Sequence, residues 1–188
     1  MSELDSIIAS YSSFEIRVRK MLTAFCNPYC RVCTNLCCKP YFCKESISTP
    51  FLSLILKEFP PPVPYNESSG WLTETGCVLS VGRPPICYEF ICDRIADEQP
   101  DLLHEYVLKV LSRLVSHLGK NAAGKCHLVE IVSSDEFSRI SYSRFRKRLF
   151  EAENAFSAIL SFFGNGKATN EMISALAKIV PKPKTIVL

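Results

Sequence analysis

Apolar side chains recur three or four residues apart from Leu4 to about Phe25, at Ile7, Ile8, Tyr11, Phe14, Val18, Leu22 and Phe25, which is the spacing of one buried helix face. Asn27-Pro28 then reads as a restart. Asparagine caps a helix, and proline suits its first position because the N–H it lacks would have no partner there. On that reading Cys30 stands in a first helical turn, and Lys39-Pro40 ends the second helix. A short apolar helix over 47–59 begins at Thr49-Pro50 and carries Phe51, Leu52, Ile55 and Phe59. The proline-rich stretch 60–70 cannot be helical and reads as a surface loop. Cys77 to Val81 fits a short strand, and Pro85 a helix start.

The second half is simpler. Leu103, Tyr106, Val107, Val110, Leu111, Leu114, Val115 and Leu118 form a helical stripe opened by Pro100-Asp101 and closed by Gly119. His127–Val132 reads as a β-like run. A helix from about Ser141 to Phe163 carries Phe145, Leu149, Ala152, Phe156, Ile159 and Phe163 and stops at Gly164-Asn-Gly166. Thr169 caps a last helix to Val180, and Pro181-Lys-Pro183 leaves a tail. The pattern predicts a mainly α protein with a single domain over 1–188. Its N-terminal half is expected to be irregular, cysteine-rich and tied by metal over 26–92, with packed helices over 100–180.

Composition narrows the class. With 188 residues, 47% of them hydrophobic, the chain can bury a core without disulfides. A net charge of +3 is too mild to argue for nucleic acid or lipid by itself. No apolar run reaches the roughly 20 residues of a membrane span, so no membrane partner is expected. The first residues lack the basic and apolar regions of a signal peptide, which points to a reducing, cytoplasmic setting.

Cysteine changes the picture. Six thiols, Cys26, Cys30, Cys33, Cys37, Cys38 and Cys43, fall within eighteen residues, and Cys77, Cys87 and Cys92 form a second group. Packing alone is met as well by Ala, Val or Leu, so this density points to metal or redox chemistry. With a helix begun at Pro28, the dipole at its N-terminus would favour the Cys30 thiolate. Cys30, Cys33 and Cys37 would then lie within an arc of roughly 60°, with Cys26 folded back onto that face. Zinc takes four thiolate or imidazole ligands and a [4Fe–4S] cluster takes four thiolates, and both suit two ligand groups joined by folding. The C-x3-C-x2-C spacing of Cys26, Cys30 and Cys33 tilts the choice toward iron–sulfur, because radical S-adenosylmethionine enzymes share it. A full radical enzyme is not expected, since its β/α barrel needs strands that the region after Cys92 lacks.

The combination Cys30-x2-Cys33-x3-Cys37-Cys38, then Gly76-Cys77-x-Leu79, then Arg83-Pro84-x2-Cys87-x2-Phe90-x-Cys92 resembles the YkgJ-like CxxCxxCC family, described as zinc- or iron-chelating. The likeness covers about residues 26–92. It departs from the family pattern by one extra residue between Cys33 and Cys37. The family's middle cysteine before its Arg-Pro element is also not evident, a place that Cys26 or Cys43 would fill. The resemblance implies a cofactor more firmly than an activity.

Other signals carry less. Gly119-x4-Gly124-Lys125-Cys126 nearly spells a phosphate-binding P-loop, but Cys replaces Ser/Thr and the loop follows a helix, so a helix C-cap explains Gly119 better. Arg139, Arg144, Arg146, Lys147 and Arg148 read as a solvated helix face. Cys126 reads as a core thiol, His127 as a weak candidate ligand beside it, and His104 and His117 as helix residues without partners. No catalytic acid or base can be named. The sequence therefore predicts a cytoplasmic metal-binding protein, not expected to be an enzyme, with Cys26, Cys30, Cys33, Cys37, Cys38, Cys77, Cys87 and Cys92 supplying the ligands to an iron–sulfur cluster, [4Fe–4S] favoured, or to Zn2+; these are more thiols than one site needs, so either two sites exist or several are spectators. The alternatives are an iron–sulfur oxidoreductase or electron-transfer component, and a zinc-stabilised module binding protein or nucleic acid, nucleic acid being the less expected partner.

Overall fold

The computed structural model describes residues 2–30, 32, 38–74 and 76–186. Its elements are almost all helical: α1 (Glu3–Cys30), α2 (Pro40–Ser48), α3 (Pro50–Glu58), α4 (Ile86–Glu89), α5 (Asp93–Asp97), α6 (Leu102–Gly119), α7 (Tyr142–Asn165) and α8 (Asn170–Leu176). A two-stranded hairpin of β1 (Leu72–Thr73) and β2 (Gly76–Cys77) is antiparallel, with Leu72 opposite Cys77.

The apolar stripe of α1 forms because its helical phase puts Tyr11, Phe14, Val18 and Leu22 on one side, and all four are buried. That face packs on α3, α5, α6 and α7, and α7 in turn supports α8. Tyr11 meets Phe51 edge-on with ring centroids 5.2 Å apart, and Phe14 meets Phe156 at 5.8 Å, both favoured aromatic geometries. The caps fall where the sequence places them. Asp101 accepts from the His104 N–H, Ser141 from that of Arg144, and Thr169 from that of Met172. Gly166 closes α7 at φ 66, a conformation that glycine takes without steric cost.

Several expectations need correction. Pro28 does not restart a helix; it lies inside α1, which runs on to Cys30. Tertiary packing outweighs the backbone bond that proline forfeits: Phe25 stacks on Phe163 at 4.6 Å, and Cys26 and Tyr29 pack against the core. Lys39-Pro40 begins α2, with proline in the first turn where its missing N–H has no intrahelical partner. The N-terminal half is thus more regular than expected, with three helices over 3–58. The strand near Cys77 is only Gly76–Cys77, and the β-like run becomes a 3-10 turn over Leu128–Glu130, capped by His127 and Glu130. The last helix ends at Leu176, followed by turns. No helix among the described residues is long and apolar enough to cross a membrane.

Candidate metal centre

Three parts of the chain bring thiols to one region. Cys26 and Cys30 stand on the final turns of α1, Cys38 lies just before α2, and Cys92 is the N-cap of α5. Burial pushes the Cys26 thiol up to about 11, and the neighbouring sulfurs of Cys30, Cys92 and Cys38 push it the same way. Cys87, in α4, shows a similar effect. The residue is exposed, yet desolvation by the protein mass around it pushes its thiol up to about 12. The Arg83 charge opposes that rise, while Cys77, Cys38 and Cys43 add to it. Cys38 therefore acts electrostatically on both groups, and the fold brings together cysteines more than fifty positions apart.

Cys30 is at the C-terminal end of α1. There the helix dipole disfavours a thiolate, which reverses the first-turn expectation. Cys33 and Cys37 lie outside the described residues, so the arc expected for Cys30, Cys33 and Cys37 does too. Among the described residues, no three Cys, His, Asp or Glu side chains stand together as a ready-made metal-ion site.

Cys43 has a different setting. It is buried in a small satellite core with Trp71 and Leu79, and the Trp71 backbone N–H faces its sulfur. Gly70, at φ 62, leaves the room: a Cβ there would lie 2.6 Å from Cys43 Sγ. Burial raises this thiol as well. Cys126 packs against the main core, its backbone paired with Ala123, as expected for a core thiol.

None of the three histidines lacks a partner. His127 Nε2 is 2.8 Å from the Ser116 carbonyl, and His127 Nδ1 accepts from the Val129 N–H. His104 Nδ1 meets Asp101 and His117 Nε2 meets Glu151, each at 2.8 Å, so both helix histidines are partnered after all. His127 also explains Gly119. Its ring occupies the space a Cβ would fill, and the left-handed conformation of a glycine cap is absent. The basic stretch is largely engaged: Arg139 pairs with Glu136, Arg148 with Glu151, Arg144 donates to the Gly124 carbonyl, and Arg146 lies over the Tyr142 ring.

Sequence reasoning missed the residues that fix the second cysteine group. Glu15, fully buried on α1, accepts from the backbone N–H groups of Gly82 at 2.9 Å and Arg83 at 3.0 Å, and from the Tyr88 hydroxyl at 2.6 Å. Arg83 then turns back to donate to the carbonyls of Cys77 at 2.7 Å and Leu79 at 2.8 Å, and Arg19 reaches the same Cys77 carbonyl at 3.4 Å. A signal was present: Glu15 is in phase with Tyr11, Val18 and Leu22, so the stripe carries one carboxylate. No family model, curated protein or solved structure matches this chain.

Proposed function

We propose that this chain is a cytoplasmic metal-binding protein that holds an iron–sulfur cluster, [4Fe–4S] in preference to zinc, through four thiolates drawn from Cys26, Cys30, Cys33, Cys37, Cys38, Cys77, Cys87 and Cys92. The observation that carries the reading is the position of Cys38, whose sulfur influences both Cys26 and Cys87. Neighbouring thiolates repel one another, and a bound cation reverses the sign of that interaction. The donor chemistry fits as well: the set is all sulfur, and the histidines that would otherwise compete are hydrogen-bonded elsewhere. Exposure of Cys30 and Cys87, and of Phe90 between Cys87 and Cys92, favours an electron-transfer component as the working form of such a cluster.

The deciding experiment is iron, zinc and acid-labile sulfide analysis with an absorption spectrum, on protein purified without oxygen. The expected result is brown protein with about four iron and four sulfide per chain. Colourless protein with stoichiometric zinc would leave a structural site and remove the electron-transfer reading. Neither metal, with the fold intact and all thiols titratable, would falsify the proposal.

A further inference from the structure

The α6 helix borders a groove of about 540 Å³, a size in the range of small-molecule sites. Its walls carry four cations, Lys109, Arg113, Lys120 and Lys125, against a single carboxylate, Glu130. That carboxylate is engaged locally, accepting the His127 backbone N–H at 2.6 Å. Arg113 pairs with Glu89, whereas none of the three lysines forms an ion pair among the described residues.

The positions follow from helix geometry. Residues 109, 113, 116 and 120 fall within about 60° around the α6 axis, so the first three and the C-cap residue Lys120 share one face. The loop after α6 closes the groove from below with Asn121, at φ 58, and with Lys125. This is the segment that nearly spells a P-loop. It is not one, because no α-helix opens directly after it; what it contributes to the groove is Lys120, Asn121 and Lys125. The α6 dipole opposes an anion here by about half a charge, which the three lysines outweigh. His127 covers the Ser116 carbonyl, one of the groups that would repel the anion.

The geometry points to this groove as a binding site for a small organic molecule carrying two or more phosphates. The backbones of Lys109 and Lys120 are about 16 Å apart along the helix axis, so a single phosphate meets both only if both side chains stretch fully toward each other. A linked pair or chain of phosphates spans more of that distance. The organic part has its own wall, formed by Ile179, Val180 and Pro181, and the Val180 carbonyl is held by the Tyr106 hydroxyl at 2.8 Å. His127 has both ring nitrogens hydrogen-bonded, and His117 is buried with its Nε2 held by Glu151, so neither is counted among the anion's ligands.

The test is isothermal titration of the full chain with inorganic pyrophosphate and with ATP, both without divalent metal. Lys120→Gln/Lys125→Gln is compared with Lys20→Gln/Lys147→Gln, which removes two exposed lysines elsewhere. Saturable one-to-one binding is expected for the unaltered chain. The groove variant should weaken it about tenfold or more while the control variant leaves it unchanged, and equal thermal melts would show that both variants fold. Absence of saturable binding of either probe overturns the assignment, as does equal weakening by the two variants. Binding of a single-stranded oligonucleotide that pyrophosphate and ATP fail to displace would also overturn it, in favour of a nucleic-acid surface.

Discussion

The Tyr88 hydroxyl donates to Oε1 of Glu15 at 2.6 Å, inside the core and across seventy-three positions of sequence. The same carboxylate takes two backbone N–H groups from Gly82 and Arg83, so it fixes the turn that precedes Cys87. Glu15→Gln removes one acceptor and points an amide at donors. It should cost about 2–4 kcal/mol. Tyr88→Phe leaves the backbone bonds in place and should cost about 1–2 kcal/mol. Urea unfolding of the two variants checks the order, and a Gln variant as stable as the parent would mean that Glu15 does not organise this turn.

Cys43 separates a packing thiol from a ligand. It sits in the satellite core against Gly70 and Trp71, where packing accounts for it. Cys43→Ala should therefore keep full metal content and lose about 1–2 kcal/mol of stability, whereas Cys26→Ala and Cys92→Ala should lower the metal content itself. Metal analysis alongside thermal melts tells them apart. Loss of metal in Cys43→Ala would move Cys43 into the ligand set.

The long amphipathic helices were legible because their cores need only periodicity, which Tyr11, Phe14 and Val18 or Val107, Leu111 and Leu114 display directly. Asp101, Ser141 and Thr169 were legible because a cap acts within three residues. Pro28 misled because its local preference was overridden by contacts such as Phe25 with Phe163, which no window of sequence contains. The clustering of cysteine could be read from spacing. The approach of Cys38 to both groups, and the role of Glu15 in holding Arg83, arise only when α1 meets the loop near residue 82.

Burial lowers the proton affinity of His117, and the hydrogen bond with Glu151, which acts the other way, does not cancel it. Burial lowers that of His127 too. Both imidazoles are thus neutral in the folded chain at a pH where an unfolded one, at about 6.5, takes a proton. The unfolded state binds more protons, so stability is fully present above about pH 6.5 and falls as the pH drops from there through the lowered folded values. Imidazole NMR titration and urea midpoints at about pH 7.5 and 5.5 check this. Resonances of His117 and His127 that titrate at or above the ordinary value would contradict it.

Gly119 and His127 give a test of why a glycine ends α6. A Cβ on residue 119 would lie 2.7 Å from Nδ1 of His127 and closer still to the far side of the ring. The ring cannot move off easily, because its nitrogens hold the Ser116 carbonyl and the Val129 N–H. Gly119→Ala should therefore cost about 2–3 kcal/mol, as overpacking of a rigid contact does. In a His127→Ala background the clash disappears, and the same substitution should become neutral or gain up to about 1 kcal/mol from alanine's helix propensity. A glycine needed for a left-handed cap would behave differently, because its backbone strain does not depend on His127. The double-mutant cycle from urea unfolding separates the two: a coupling of about 2 kcal/mol or more assigns Gly119 to the His127 contact, and an additive result assigns it to the backbone.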